Sequence, residues 1–223
     1  MFNHSLSIAA VSLFAGAAFA QDFQITEAFT GLSGEDGTVD WFEITNFGPS
    51  GSTSGIVYDD ENPSLGNGGA LDAITLATGE SAIFLITDDN EASDDITYLS
   101  AIAEFQDIWN YAGKIGLTNG GGGLGQGGDS VNLALDGLTF TESVTTPGAL
   151  SGELETIEFA IDGTASASIL GVNGAYESDA FFNDNLGLPN DSATLTGSPG
   201  AIPEPGTLAL AGLGLAALGL RRR

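Results

Sequence analysis

The stretch Trp41-Phe42-Glu43-Ile44-Thr45-Asn46-Phe47 is the part of the sequence that decides the fold class. Its side chains alternate, so that Phe42 and Ile44 share one face and Glu43 lies on the other. Strict alternation is typical of a half-buried β-strand. The strand ends at Gly48-Pro49, because proline cannot donate a ladder hydrogen bond. We expect Glu43 to face solvent, as charged residues usually do on one face of an antiparallel sheet.

The same alternation recurs before and after this stretch, separated by Gly, Pro, Asn and Asp residues that favour turns. The pair Asp136-Gly137 is expected to close a tight hairpin. Many short strands with frequent turns predict a mainly β fold, a single antiparallel β-sandwich. The other predicted strands are Phe23–Phe29, Leu71–Leu76, Ala82–Thr87, Ser130–Leu135, Leu138–Val144 and Glu155–Ile161, with a short apolar patch at Ile56–Tyr58.

One segment has a different period. From Ser93 to Trp109 the apolar residues return every three or four positions, which is the spacing of one face of a helix. Ser93 or Asp94 is suited to cap its first turn. The sequence therefore predicts one helix inserted among the strands. Its large apolar residues are Ile96, Leu99, Ile102, Phe105 and Trp109.

The charge of the chain is strongly negative, with a formal net charge of −26. Of the 30 acidic residues, 29 lie between residues 21 and 200, and only Glu204 lies nearer the C-terminus. Of the 4 basic residues, only Lys114 lies between residues 21 and 200. A surface of this sign repels nucleic acid and anionic lipid headgroups. It suits a salty exterior or bound divalent cations.

Two residue types are almost absent. The chain has no cysteine, and its only histidine, His4, lies near the N-terminus. Without them the remainder of the chain can form neither a Ser-His-Asp nor a Cys-His catalytic pair, and no zinc or copper site with those ligands. It also has no disulfide, so the fold depends on its core alone.

The N-terminal segment has the pattern of a secretory signal. Residues 7–20 are apolar and end in Ala18-Phe19-Ala20, the small-x-small pattern that signal peptidase cleaves. We expect the mature chain to begin at Gln21. A buried N-terminal core helix is the alternative, but it explains neither the cleavage pattern nor the change to acidic sequence at Asp22.

The C-terminal segment combines three unlike elements: the triplet Pro203, Glu204 and Pro205, an apolar run, and three arginines. A helix of 13 residues spans roughly 20 Å, short of the ~30 Å hydrocarbon core of a membrane. The arginines are expected on the cytoplasmic side. The predicted short transmembrane helix and its anchor comprise Leu208, Leu210, Leu213, Leu215, Leu218, Leu220, Arg221, Arg222 and Arg223.

This order of elements resembles the PEP-CTERM sorting signal of Gram-negative bacteria that secrete exopolysaccharide. The resemblance implies cleavage near the triplet by an exosortase, a membrane-embedded cysteine protease. It also implies transient membrane anchoring, followed by delivery to the envelope, cell surface or extracellular matrix. A plain tail anchor is the alternative.

A second resemblance rests on five segments: Ile25-Thr26-Glu27, Asp40–Asn46, Gly128–Leu133, Asp136-Gly137 and Ser198-Pro199-Gly200. They are similar to the lamin-tail domain, an immunoglobulin-like β-sandwich common in secreted bacterial proteins. The match departs from the family at Ser50–Gly69 and Ser93–Trp109, which are longer than in the minimal domain. The resemblance implies a binding or targeting module without catalytic residues.

Two acidic runs are candidate calcium ligands, since Ca²⁺ takes six to eight oxygen atoms. The first contains Asp59, Asp60 and Glu61, followed by Asn62; the second contains Asp88 and Asp89, followed by further acids up to Asp95. Neither matches the EF-hand spacing. Solvated loop charge and a helix start are the alternative interpretations. Calcium is the single cofactor that the sequence proposes.

Three further patterns have ordinary structural explanations. Gly123, Gly125 and Gly128 fit the dinucleotide fingerprint, but here they open a strand and not the helix that the motif requires. Paired carboxylates can run a glycosidase without histidine, and Glu43 between aromatic residues is the most suggestive acid. Aromatic residues can stack on sugars, although we expect core packing for Trp41 and Trp109 and more exposure for Tyr111 and Tyr176.

The sequence therefore predicts three parts: a signal peptide at 1–20, a lamin-tail-like domain at 21–200 and a sorting signal at 201–223. The expected function is that of an exported, non-enzymatic surface or matrix protein associated with exopolysaccharide or biofilm. The expected partners are signal peptidase and an exosortase, with exopolysaccharide as a further candidate. A specific carbohydrate- or calcium-binding module and a carboxylate-only glycoside hydrolase are the alternatives.

Overall fold

A computed structural model describes residues 22–32, 39–87, 95–182 and 192–201. The predicted signal helix, the cleavage site at Ala18, Ala20 and Gln21, and the predicted tail helix lie outside these residues. Within the described ranges, no helix combines the length and the apolar character needed to cross a membrane.

The described residues form a mainly β structure with sixteen strands and one helix. The strands are β1 (Phe23–Phe29), β2 (Trp41–Asn46), β3 (Gly51–Ser52), β4 (Val57–Asp59), β5 (Gly69–Leu71), β6 (Thr75–Leu76), β7 (Ser81–Thr87), β8 (Lys114–Asn119), β9 (Gly128–Ala134), β10 (Glu142–Pro147), β11 (Ile157–Phe159), β12 (Ala165–Ala167), β13 (Tyr176–Glu177), β14 (Phe181–Phe182), β15 (Ser192–Ala193) and β16 (Thr196–Gly197). The helix is α1 (Asp95–Trp109). The predicted mainly β class and the single inserted helix are confirmed for this part of the chain.

Ten strands form one sheet in the order β10-β9-β4-β5-β8-β7-β2-β1-β11-β12. The prediction of a purely antiparallel sheet is wrong at one pair, because β7 and β8 run parallel, with Ile83 opposite Ile115. A parallel pair needs a long crossover connection. The chain between β7 and β8 contains α1, so the inserted helix accounts for the exception.

The sheet folds over so that its two halves share one core. Strand β10, at one end of the sheet order, lies against β1 near the other end, and the amide of Ile25 donates to Glu142 Oε1 at 3.3 Å. Residues from both halves fill the space between them. Its largest members are Phe23, Phe42, Ile44, Ile56, Tyr58, Phe84, Val131, Leu133 and Phe159.

A second core lies on the opposite face of β1, β2 and β7. Here α1 and the segments around β13 to β16 cover the sheet. Trp41 forms its centre, with an edge-to-face contact to Phe105 at 5.5 Å and another to Trp109 at 6.1 Å between ring centroids. Strands covered on both faces do not show the polar outer face that simple alternation predicts.

The expected tight hairpin at Asp136-Gly137 is also corrected. Glu142 pairs with Leu133, which leaves a seven-residue connection from Leu135 to Thr141. Asp136 Oδ1 accepts hydrogen bonds from the amides of Leu138 at 2.8 Å and Thr139 at 2.7 Å. This side chain supplies a local turn that competes with strand pairing, so β10 begins later than predicted.

Candidate functional site

Three glutamates lie side by side across three neighbouring strands. Glu43 on β2 pairs with Glu27 on β1, and Glu27 pairs with Glu158 on β11. All three are buried, with exposures of 0%, 1% and 8% respectively. We call Glu43, Glu27 and Glu158 the glutamate row. The prediction that Glu43 faces solvent is therefore wrong, because the second core covers its face of the sheet.

A β-bulge at Thr26 brings the first two glutamates together. The strand register shifts between Ile25 and Glu27, so that Thr26 is the extra residue and Glu27 comes to lie opposite Glu43. Thr26 Oγ1 donates to Glu43 Oε1 at 2.6 Å and contacts Thr45 Oγ1 at 2.9 Å. Bulges redirect side chains in this way, and here one places two acids on the same buried face.

Burial determines the protonation of Glu43. Removal from water raises the pKa of its carboxyl group to about 7, although hydrogen bonds from Thr26 and the amide of Gly200 oppose the shift. Thr45 Oγ1 adds a long hydrogen bond at 3.5 Å. The hydroxyl groups of Thr45 and Ser81 contact each other at 2.7 Å and extend the polar network.

Glu27 is shifted further. Burial, and after it the charge of Glu43, raises the pKa of Glu27 to about 8. Its Oε1 accepts hydrogen bonds from Thr156 Oγ1 and from the amide of Ser198, the latter at 2.8 Å. Among the described residues, Glu27 Oε2 has no hydrogen-bond partner. Two like charges directly opposite each other destabilise a sheet, so the pair favours protonated forms.

The first two glutamates hold the last turn of the described chain. Ser198 to Ala201 form a β-turn in which the amide of Ala201 donates to Ser198 O at 2.8 Å. Gly200 has a φ of 79°, which suits the third position of a type II turn that follows Pro199. The amide of Gly200 donates to Glu43 Oε2 at 2.5 Å, beside the bond from Ser198 to Glu27. We call Ser198–Ala201 the exit turn.

Glu43 and Glu27 form a buried hydrogen-bond network that fixes the exit turn, and within the described ranges no open cleft lies between them. The carboxyl oxygens of Glu43, and Oε1 of Glu27, accept hydrogen bonds from the protein's own amide and hydroxyl groups. Neither side chain has appreciable contact with solvent. Binding to the exit turn is the chemistry that the geometry supports.

The exit turn leads directly into a segment that can be identified. Residues 201–223 match the PEP-CTERM protein-sorting motif. This match comprises 23 of the 223 residues and includes Pro203, Glu204 and Pro205. The motif implies processing by an exosortase-type enzyme and export to the cell envelope or surface. No curated protein and no solved structure matches the chain.

The aromatic residues that were candidates for sugar stacking lie near the exit turn, but they do not form an exposed surface on which a sugar ring could stack. Trp41 and Trp109 are fully buried, and Tyr111 and Tyr176 are half-buried, as predicted. Tyr176 packs edge-to-face on Trp109 at 5.7 Å, and its hydroxyl donates to Trp109 O at 2.9 Å. Fully buried rings cannot stack on a ligand, so the two tryptophans serve the second core.

The glycine-rich loop connects β8 to β9, which confirms that it opens a strand. Its amides bind carboxylates of the same chain: Leu124 donates to Asp40 Oδ2 at 2.6 Å and Gly125 to Asp129 Oδ2 at 2.7 Å. Burial raises the pKa of Asp40 to about 6, and the charge of Asp129 adds to the shift. Amides already bound to carboxylates do not form a phosphate cradle.

In the first calcium candidate, the carboxylate of Asp59 is already hydrogen-bonded to nearby backbone amides. Asp59 is buried, and its two carboxylate oxygens accept the amides of Asp60 at 3.1 Å and Ser64 at 2.5 Å. Across the described ranges, no group of three or more acidic, histidine or cysteine residues is arranged to hold a metal ion. Asp88 and Asp89 lie outside those ranges, so calcium binding there stays a prediction.

Sequence reasoning missed the glutamate row and its contact with the exit turn. Glu43 lies between Phe42 and Ile44, and Glu158 between Ile157 and Phe159, but this pattern does not show whether the acid is buried. An acid in the middle of a short strand with apolar neighbours on both sides is often outward-facing. Only the cover over the second face makes it buried.

Proposed function

We propose that this chain is an exported, non-enzymatic protein of the cell surface or extracellular matrix, delivered by an exosortase-type system. Its folded part is a lamin-tail-like β-sandwich with immunoglobulin-like packing, and it contributes to an exopolysaccharide or biofilm layer. One observation carries the proposal: the sorting motif at 201–223 begins at the exit turn, which is bound to the folded domain. The motif is therefore joined directly to a folded cargo domain.

The burial of the glutamate row supports a non-enzymatic role. A glycosidase needs two carboxyl groups that flank a sugar, with room for the substrate between them. Glu27 and Glu43 are instead sealed under the second core and bound to the exit turn. Their raised pKa values follow from burial, so they are not a sign of acid catalysis.

The charge of the cargo supports adhesion through divalent cations. Its only basic residue, Lys114, already forms an ion pair with Glu80 at 2.7 Å. The other 28 acidic residues of the cargo far outnumber this single lysine. A surface of this kind binds polyanionic polysaccharide only when divalent cations bridge the two.

A specific carbohydrate-binding module is the second candidate, and one cavity favours it. The cavity has a volume of about 430 Å³ and is lined by Trp109, Asn110, Tyr176, Glu177 and Asp179. An exposed amide and two carboxylates beside a half-buried tyrosine are groups that hydrogen-bond sugar hydroxyls. A glycan array probed with the exported protein tests this candidate, since a flat array removes it.

The leading proposal is tested by mass spectrometry of the mature protein from its native host. We expect a first residue of Gln21 and a new C-terminus near Pro203, with any attached glycan or lipid visible in the mass. Replacing Pro203 and Pro205 by alanine should leave the tail attached and keep the protein in the membrane fraction. Pro63→Ala, in an exposed loop, is the matched control and should be processed normally. An intact tail in the Pro63→Ala control as well as in the variant without Pro203 and Pro205 would contradict the proposal.

A further inference from the structure

One loop differs in character from the rest of the acidic domain. The segment Ala165–Tyr176 contains no charged residue. Within it, Ile169, Leu170 and Val172 are exposed by 63%, 59% and 46%. Single exposed apolar residues are normal on protein surfaces, but three within four positions form a continuous apolar stretch on an otherwise acidic domain. We call Ile169–Gly174 the apolar loop.

The apolar loop is held in one shape by its own hydrogen bonds. The amide of Val172 donates to Ile169 O, and the amide of Gly171 to Ala175 O, both at 2.8 Å. Asn173 has a φ of 49° and donates from its side chain to Glu158 Oε2 at 2.8 Å. Since Glu158 belongs to the glutamate row, the loop is fixed to the same row that holds the exit turn. Its apolar side chains therefore point outward on a defined support.

The apolar loop lies directly beside the point where the chain leaves the domain. A β-carbon added at Gly174 would lie 2.7 Å from the Cβ of Ala201, so the two residues are in contact. Strands β13 and β16 continue this contact, with Tyr176 opposite Gly197. The loop and the start of the sorting motif therefore occupy the same end of the molecule.

The tail limits how far this end can be from a membrane. Six residues, 202–207, separate Ala201 from the apolar run that begins at Leu208. An extended chain covers at most about 3.3–3.6 Å per residue, so the link spans roughly 20 Å. While the tail is inserted, a link of this length keeps this end of the domain within roughly 20 Å of the membrane surface.

We propose that the apolar loop enters the headgroup region of the bilayer beside the inserted tail, before the tail is cleaved. The inference rests on the proposed membrane insertion of the sorting motif. An uncharged apolar contact is the kind that an acidic domain can make with anionic lipid, because its other surfaces are repelled. The contact orients the domain and presents Pro203 to Pro205 at the bilayer surface, where a membrane-embedded protease works.

The absence of cysteine makes a direct test practical. The full chain is exported in a bacterium without an exosortase, purified with its tail, and reconstituted in phosphatidylethanolamine–phosphatidylglycerol vesicles. Single cysteines replace Leu170 in the apolar loop, Leu213 in the tail and Ile161, and each carries an environment-sensitive fluorophore. Ile161 is the matched control because it is 71% exposed and lies in the turn at the other end of β12.

We expect labels at positions 170 and 213 to shift to shorter wavelength and to be quenched by spin-labelled lipid, while the label at 161 stays in water. Quenching at 213 with none at 170 overturns the loop inference and leaves the inserted tail intact. No quenching at 213 overturns the membrane insertion on which the inference rests. A spectral shift at position 170 without quenching by spin-labelled lipid also overturns the loop inference. In that case the apolar loop is covered by the tail or by a second copy of the chain.

Discussion

Glu27 and Glu43 lie directly opposite each other on two neighbouring strands, and both carboxyl groups are buried beneath the exit turn. Each accepts one amide of that turn, from Ser198 and Gly200 respectively. Two buried acids in contact with one segment are stable only if at least one of them holds a proton near neutral pH. We therefore expect the hydrogen bonds between the two glutamates and the exit turn to depend on protonation.

The stability of the folded protein should fall as pH rises from about 4.5 to about 8. Burial raises the pKa values of Glu43 and Glu27 to about 7 and about 8, above the ordinary value of 4.5. In this window the folded state binds more protons than the unfolded state, so the free energy of unfolding decreases with pH. Chemical denaturation at several pH values measures the slope, and a flat or rising profile would contradict the assignment.

Glu43→Gln should stabilise the protein at pH 8 by roughly 1–3 kcal/mol and have little effect at pH 5. Glutamine removes the cost of ionisation and still offers an oxygen to the amide of Gly200, while the hydroxyls of Thr26 and Thr45 can accept its amide protons. Denaturant midpoints at the two pH values measure the difference. Glu61→Gln, on an exposed loop, is the control and should show no comparable gain. A Glu43→Gln effect independent of pH would refute this account.

Gly200→Ala should loosen the exit turn, at a cost of about 2–4 kcal/mol. Its φ of 79° disfavours any side chain, and an added Cβ would lie 2.7 Å from Tyr111 Cε2. Gly163→Ala is a matched control, because Gly163 has a φ of 78° but no atom within 4 Å of the added carbon. We expect the control to cost only about 1 kcal/mol. If the melting temperature falls by the same amount in the two variants, the clash of the added Cβ with Tyr111 does not contribute to the loss of stability.

Millimolar Ca²⁺ and Mg²⁺ should raise the melting temperature by similar amounts, because both screen the repulsion among the acidic residues. A dedicated calcium site would instead respond to calcium alone, with a rise that depends on concentration. Asp60→Asn distinguishes general screening from a calcium site in the loop Asp59–Glu61, where backbone amides already donate to the carboxylate of Asp59. A calcium-only shift that disappears in this variant would establish a site in that loop.

The sequence predicted several strands closely and the site poorly. The bounds of Phe23–Phe29 are confirmed without change, and α1 begins at Asp95, directly after the predicted cap position Asp94, and ends at the predicted Trp109. Both segments have a clear period, and period reports which side chains share a face. The parallel pairing of β7 with β8 has no local signal, because it depends on where the crossover helix packs.

Sequence alone determined the sorting motif, the absence of cysteine, the nearly complete absence of histidine and the alternation of the main strands, because each of these depends on residue identity and spacing along the chain. Tertiary structure decided that Glu27 and Glu43 are buried together, since the second core over their face is formed by α1 and by residues more than a hundred positions away. Alternation shows which residues share one face of a strand, but only packing shows what covers that face.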